Sequence, residues 1–403
     1  MNTKPFTTET QRHREKTKPD ACLLFGSRAF GFLCVSVSLW WILTLTACGK
    51  EPLYQEQGYV FGTLVEVSVY GEDEAKARQA VAAVMQEFQR LHNMLHAWKP
   101  SELSELNAVF AQGKSKDVSP ELVAMLKDAA QISAQSENLF NPAIGSLVKL
   151  WGFHADEFKA ALPDEKQVAA LVKANPQMSD LVFLSSPLGG EGAGERGSVR
   201  TATLSPSPSP AGGRGELVSS HNSAVQLDLG GYAKGYALDR AAELLKKMGV
   251  RNALINIGGN VLALGAHGSR AWRVGIQHPR KPGPLATLEL HDGEAIGTSG
   301  DYQRYFELGG KRYCHLIDPR TGQPVQGVQA VTILTHGPHA GVLSDAASKP
   351  LFISGAQGWR AAAKKMQIEE ALLLDGAGKV HLSAALQKRL EFADKTMAVE
   401  LEP

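Results

Sequence analysis

Apolar and polar positions alternate from Thr63 to Tyr70, with Val65, Val67 and Val69 on one side and Glu66 and Ser68 on the other. A period of two predicts a half-buried strand. The period then changes. Ala77, Val81, Val84, Phe88, Leu91 and Leu95 recur at three- and four-residue steps, which predicts a helix from about Asp73 to His96. A second helix is expected after Ser119-Pro120, with Ser119 as its cap, Pro120 at its first position, and Leu122, Met125, Leu126, Ala129 and Ile132 on its buried face.

Residues 185–222 break the pattern. Gly189-Gly190-Glu191-Gly192-Ala193-Gly194 and Ser205-Pro206-Ser207-Pro208-Ser209-Pro210 carry scarcely any large apolar side chain. Such a stretch buries too little surface to offset the entropy of ordering it. It reads as a disordered insertion between two strands, Leu181 to Leu184 and Val225 to Leu229. A glycine turn and a helix, Lys234 to Lys247, come next. The strand pair Ala253–Ile257 and Val261–Leu264 then joins through Gly258-Gly259. The last third is strand-rich, with one helix near Ala340 to Ser354. Helices interleaved with hairpins define an α+β fold class rather than a regular parallel sheet.

The first fifty residues have a different character. Met1 to Arg28 is polar and basic, and Ala29 to Ala47 is apolar, ending in Leu45-Thr46-Ala47-Cys48-Gly49. A basic segment before an apolar one is the pattern of an export signal, and the ending resembles the lipobox of bacterial lipoproteins. That resemblance makes residues 1–47 a signal peptide, Cys48 a diacylated N-terminus, and residues 48–57 a lipid-anchored linker to a domain over 58–403. The protein is then expected on the bacterial cell envelope, facing the periplasm and held to the membrane by its acyl chains. The alternative is an uncleaved span, since the apolar run approaches the ~20 residues a bilayer requires.

Composition adds little. The chain has 403 residues, 43% hydrophobic and 21% charged, with 42 basic against 41 acidic side chains. That balance gives no support to a nucleic-acid partner. Cys22 and Cys34 fall within the signal and Cys48 takes lipid, so Cys314 alone remains and no internal disulfide is expected.

Four patches concentrate glycine, charge and imidazole. Asp228-Leu229-Gly230-Gly231-Tyr232-Ala233-Lys234-Gly235 sets a carboxylate before a glycine turn and a lysine at a helix start. Glycines admit a ligand to the backbone, and a helix N-terminus favours an anion; a plain strand-to-helix turn has the same look. Thr298-Ser299-Gly300-Asp301-Tyr302 is the second patch. His315-Leu316-Ile317-Asp318-Pro319-Arg320-Thr321-Gly322 joins an imidazole to an Asp-Pro turn, which is either a proton relay or a histidine satisfied by its own turn. Ser344-Asp345-Ala346-Ala347-Ser348 is either a helix cap or an oxygen-rich Mg²⁺ site.

Taken together the patches resemble the ApbE-like FAD:protein FMN transferases, a family once called thiamine biosynthesis lipoproteins. Phe61-Gly62-Thr63 stands where the family has Met-Gly-Thr. Phe140-Asn141-Pro142-Ala143-Ile144-Gly145 and Trp151-Gly152-Phe153 look like its Phe-Asp-Pro-Thr-Val-Gly and Trp-Gly-Phe segments. Asn256-Ile257-Gly258-Gly259-Asn260 and the other patches follow in the family's order, over nearly the whole mature chain.

The resemblance implies mixed sheets with packed helices, built from interleaved subdomains. It implies FAD as substrate, with Mg²⁺ on its pyrophosphate and FMN passed to a Ser or Thr hydroxyl of an exported or membrane redox-complex subunit. By the same resemblance Phe61, Trp98, Leu139, Phe140, Asn141, Asp228, Lys234 and Ile317 contact FAD. His315 becomes the base, Asp318 its orienter or the holder of the turn, and Asp301 a second possible base. The metal falls to a carbonyl matching Gly231 and to the Asp345 carboxylate.

One departure matters. Where the family has a threonine near the metal, this chain has Lys349, followed by Pro350. An ammonium cannot ligate Mg²⁺, and each unit of like charge costs roughly 4 kcal/mol at ~4 Å in an effective dielectric of about 20. Either Lys349 swings outward and Ser348 substitutes, or the lysine replaces part of the metal's charge. Pro350 is expected to bend the helix. Asn141 and Asn260, where acids are common in the family, lower the site's negative charge further. Mg²⁺ dependence is therefore in doubt. Two alternative functions remain open: an FAD pyrophosphatase, and a non-catalytic FAD-binding lipoprotein.

Overall fold

A computed structural model describes residues 52–155, 157–185 and 215–402. The signal-like segment with Cys48, and the glycine- and proline-rich runs of the insertion, lie outside the described residues. The chain opens with β1 (Leu53–Val60) and β2 (Thr63–Tyr70), then α1 (Glu74–Leu95) and α2 (Glu102–Phe110). After β3 (Lys116–Val118) come α3 (Pro120–Gln135), α4 (Gly145–Leu150), α5 (Glu165–Ala174), β4 (Leu181–Ser185) and β5 (Glu216–Ser220). The helix α6 (Ala233–Lys247) leads into β6 (Ala253–Ile257), β7 (Asn260–Leu264), β8 (Trp272–Gln277), β9 (Pro284–Leu290) and β10 (Ala295–Gly300). Two small hairpins follow, β11 (Tyr305–Leu308) with β12 (Lys311–Cys314) and β13 (Ile317–Asp318) with β14 (Gln323–Pro324). The chain closes with β15 (Val328–Thr335), α7 (Ala340–Ala346), α8 (Ser348–Lys365), β16 (Glu370–Asp375), β17 (Val380–Ser383), α9 (Ala384–Gln387), β18 (Glu391–Phe392) and β19 (Val399–Glu402).

Nine strands form one sheet in the order β1-β2-β6-β7-β10-β15-β16-β17-β19, antiparallel except between β17 and β19. Alternation sends its side chains to two separate cores. Val65, Val67, Ile255, Ile257, Val331 and Leu373 face the helices. Val261, Ala263, Ile296, Leu334, Leu372 and Leu382 face the three-stranded sheet β18-β9-β8. The architecture is the expected α+β.

The helices start where their caps require. Asp73 accepts from the Lys76 N–H at 3.0 Å. Ser119 caps α3 with Pro120 in its first turn. Phe88 and Leu91 on α1 are fully buried, each such side chain stabilising the fold by roughly 1.5–3 kcal/mol.

Four expectations are corrected. Residues 53–57 are not linker but most of β1, an edge strand whose inward positions include Glu56 and Gly58 and so carry a weak apolar signal. The insertion ends earlier than residue 222, because Glu216–Ser220 pairs with β4 as β5. Val225–Leu229 forms no strand beyond one bridge between Gln226 and Ile144; this extended run instead leads into the glycine turn. As for the bend expected at Pro350, that residue sits in the first turn of α8, where its missing N–H costs nothing. The interior break lies at Gly355, with φ 65°.

Candidate active site

The turns converge on one cleft of about 800 Å³. Its walls include Phe61, Trp98, Leu139, Phe140, Asn141, Asp228, Gly231, Lys234, His315, Ile317, Asp345 and Lys349. These come from positions nearly three hundred residues apart in the sequence, so the fold assembles the site.

Phe61 and Gly62 form the two-residue turn between β1 and β2, with φ 55° and 71°. A tight hairpin needs positive φ at both positions, normally supplied by Asn or Gly. A phenylalanine there is strained, and its ring is set against Phe88 and His92 at centroid distances of 6.3 and 5.7 Å. Trp98 lies across the cleft wall with its ring 5.5 Å from that of His154. Such faces suit a flat heteroaromatic ring.

Small residues let the helices close on one another. A Cβ on Gly235 of α6 would come within 2.7 Å of Val342 Cα and closer still to the Gly341 carbonyl oxygen of α7. This contact brings Asp345 against the turn of Asp228 to Lys234. The Gly235 N–H donates to Asp345 Oδ2 at 3.2 Å. Lys234 Nζ stands 3.5 Å from Asp345 Oδ1 and donates to the Gly230 carbonyl at 3.2 Å.

Lys349 points inward. Its Nζ donates to the Asp345 carbonyl at 2.7 Å and to Asp345 Oδ1. Its stem covers the glycine turn, with Cε 3.1 Å from where a Gly231 Cβ would be. Removal from water lowers the Lys349 pKa to about 8; the attraction of Asp345 opposes this and Lys234 adds to it. Burial acts to raise the Asp345 pKa, but the two lysines, the Lys349 hydrogen bond and the Gly235 N–H outweigh it and hold the carboxyl well below its ordinary range. Ser348 is buried, its hydroxyl bonded to the Asp345 carbonyl and to Ser299 Oγ, both at 2.7 Å.

This arrangement bears directly on the expectation of Gly231, Asp345, Ser348 and Lys349 as a metal set. The one carboxylate among them is already held by two ammonium groups and a backbone N–H, and a hard divalent cation needs several free oxygens. Among the described residues no three His, Cys, Asp or Glu side chains are grouped to hold a metal. These residues do not fit Mg²⁺.

His315 rests on the chain turn at Arg304. Its backbone N–H and its Nδ1 both reach the Arg304 carbonyl, at 3.0 and 3.2 Å. A carbonyl only accepts, so Nδ1 carries the proton and Nε2 is the ring atom able to take another. Removal from water, then the charge of Arg304, and further Lys234 and Lys349, pull its pKa to about 3. The imidazole is neutral at pH 7. Asp228 is pushed up by burial, against the Gly230 N–H at 2.8 Å and the charges of Arg304 and Lys234.

Asp318 and Asp301 stand outside the cleft wall. Asp318 is bound to the Arg320 guanidinium at 2.8 Å, and its carbonyl accepts from Thr321 and Gly322, so it holds the turn and does not touch His315. Asp301, expected as a second possible base, is engaged elsewhere. Both its oxygens are taken by Arg280, at 2.8 and 2.6 Å, with Arg312 at 3.8 Å. Asn141 lines the cleft, but its amide is used by Pro176 O and the Ala143 N–H. Asn260 is buried in β7, away from the cleft. Arg304, which no repeat or turn signature marks, lines the cleft and is the residue the sequence reading missed.

Aromatic walls, a glycine turn and the cations Lys234, Arg304 and Lys349 give this α+β protein a cavity suited to a phosphorylated, flat-ringed ligand. Residues 61–373 match the family model described as "ApbE family". A Rhodobacter capsulatus protein called FAD:protein FMN transferase is 40% identical over 350 residues, 87% of this chain and 60% of its own length. A Treponema pallidum protein of the same name is 30% identical over 373 residues, 88% of this chain and 94% of its own. The solved ApbE protein of Thermotoga maritima superposes with a TM-score of 0.69 at 25% identity, covering 84% of this chain and 99% of that one. The chain belongs to the ApbE family.

Proposed function

We propose that this protein transfers FMN from FAD to a serine or threonine hydroxyl of an exported acceptor protein. The observation that carries the reading is the convergence of Trp98 and Phe61, the Asp228–Lys234 turn, Arg304 and His315 on one cleft of about 800 Å³, within the usual range of about 300–1,000 Å³ for small-molecule sites. The ring system lies against the aromatic walls, and the diphosphate lies against Lys234, Lys349 and Arg304. The acceptor oxygen attacks the phosphorus on the FMN side and gives its proton to Nε2 of His315. The bond from that phosphorus to the bridging oxygen breaks, and AMP leaves with that oxygen. One phosphoester forms and one phosphoanhydride is lost.

The anchor belongs to the same proposal. The basic segment, the apolar run and Cys48 support a domain held at the bacterial cell envelope on its periplasmic side, where a membrane redox-complex subunit is the acceptor. No helix among the described residues is long and apolar enough to cross a membrane.

The full chain, FAD and a candidate exported redox subunit are incubated and the products weighed. The expected result is an acceptor heavier by one FMN, with AMP released. Free FMN with an unmodified acceptor assigns the cleft to hydrolysis, and intact FAD assigns it to binding alone. Either outcome overturns the transfer.

A further inference from the structure

We propose that Lys349 is a built-in counter-cation for the dinucleotide diphosphate, filling the place between the Gly230–Gly231 turn and Asp345, so that this chain binds FAD without a divalent metal. The proposal rests on the reading of the cleft as an FAD site.

The Lys349 ammonium lines the cavity. Two of its donors go to the Asp345 carbonyl and to Oδ1. An ammonium has three, so one is left for a phosphate oxygen. The stem is held across the glycine turn, 3.1 Å from the Gly231 Cβ position. A metal bound at Asp345 would have to displace this group or sit beside it, against like charge. Lys234, whose Nζ is 3.5 Å from the same carboxylate, and Arg304 complete the positive wall. Together the three cations outweigh Asp345 and Asp228, so the cleft is cationic before any ion enters. A diphosphate brings the opposite sign and accepts charge-assisted bonds from each.

A purely structural pairing makes a different forecast. If Lys349 only neutralised Asp345, its loss would weaken the fold without changing how FAD binding responds to metal. The discriminating experiment titrates FAD into the full chain, in detergent, by flavin fluorescence with EDTA and again with excess Mg²⁺. Wild type is expected to bind equally in both, within about twofold, whereas Lys349→Thr loses at least about tenfold in EDTA and regains most of it with Mg²⁺. Thermal unfolding of the variant separates lost binding from lost structure. Electron paramagnetic resonance with Mn²⁺ as probe tests the wild type independently of any variant, and no bound Mn²⁺ is expected in the presence of FAD.

Wild-type affinity that rises about tenfold or more with Mg²⁺, stoichiometric Mn²⁺ on the FAD complex, or a folded Lys349→Thr that binds FAD normally in EDTA overturns the proposal while leaving the FAD site intact. Absence of FAD binding under every condition overturns both.

Discussion

Replacing His315 by alanine is expected to lower the rate of FMN transfer by about 10²- to 10⁴-fold, the usual contribution of a positioned general base, while FAD affinity stays within about twofold. The argument is geometric first. The hydrogen bond from Nδ1 to the Arg304 carbonyl, at 3.2 Å, fixes the tautomer and leaves Nε2 for the acceptor's proton. The electrostatics then set the timing. Removal from water and the charges of Arg304, Lys234 and Lys349 hold the pKa at about 3, so the ring is neutral but a weak base. A bound diphosphate offsets those positive charges and so acts to raise the pKa against the lowering that burial causes. Single-turnover transfer followed by acceptor mass measures the rate, and a Ser- or Thr-bearing acceptor modified at close to the wild-type rate would remove His315 from the chemistry.

Gly235→Ala is expected to cost about 3 kcal/mol of stability, the upper end of what one added methyl does in a close-packed interior, and to weaken FAD binding with it. A Cβ there meets backbone, 2.7 Å from Val342 Cα, rather than the yielding end of a side chain. Either α6 or α7 must move. The Gly341 side of the contact is equally tight, since a Cβ there would lie 2.7 Å from Asp239 Oδ1. Any movement pulls the Gly235 N–H from Asp345 Oδ2 and loosens the lysine pair that the carboxylate holds. Urea unfolding reads the first effect and FAD titration the second. An unfolding midpoint unchanged from wild type would show that the helices have room to spare.

Strands and helices were legible in the sequence wherever one face is apolar and the other is not. β2, α1, α3 and the β6–β7 pair follow their periods, and Asp73 and Ser119 cap the helices they precede. β1 was missed because it lies at the sheet's edge, where Tyr54, Glu56 and Gly58 alternate with exposed residues. The helix α2 carries a capping box between Ser101 and Ser104 and buries Leu103, Leu106 and Phe110, a signal too short for a period to establish alone. Val225–Leu229 has the composition of a strand, but it pairs at one point only and spends its backbone on other partners, Leu227 bonding the buried Asn107 amide at 2.7 Å.

The site was legible as a set of residues and not as an arrangement. Glycine turns, Asp228, Lys234 and His315 stand out by type and spacing, whereas Arg304 has no such signature and enters through a turn. Asp301 and Asp318 look like Asp345 in sequence. What separates them is the cation each one meets: Arg280 and Arg320 take the first two on the outside, and Lys349 and Lys234 hold the third within the cleft. The position of the Lys349 ammonium follows from its i,i+4 spacing to Asp345 across the start of α8, which places both on one helix face.

The central claim is that the cleft holds a dinucleotide through its diphosphate, and comparing FAD with riboflavin on the full chain addresses it most directly. FAD is expected to bind at least about a hundredfold more tightly, because riboflavin meets the aromatic walls but offers nothing to the three cations. Equal affinity for the two flavins, or no uptake of FAD, would contradict it.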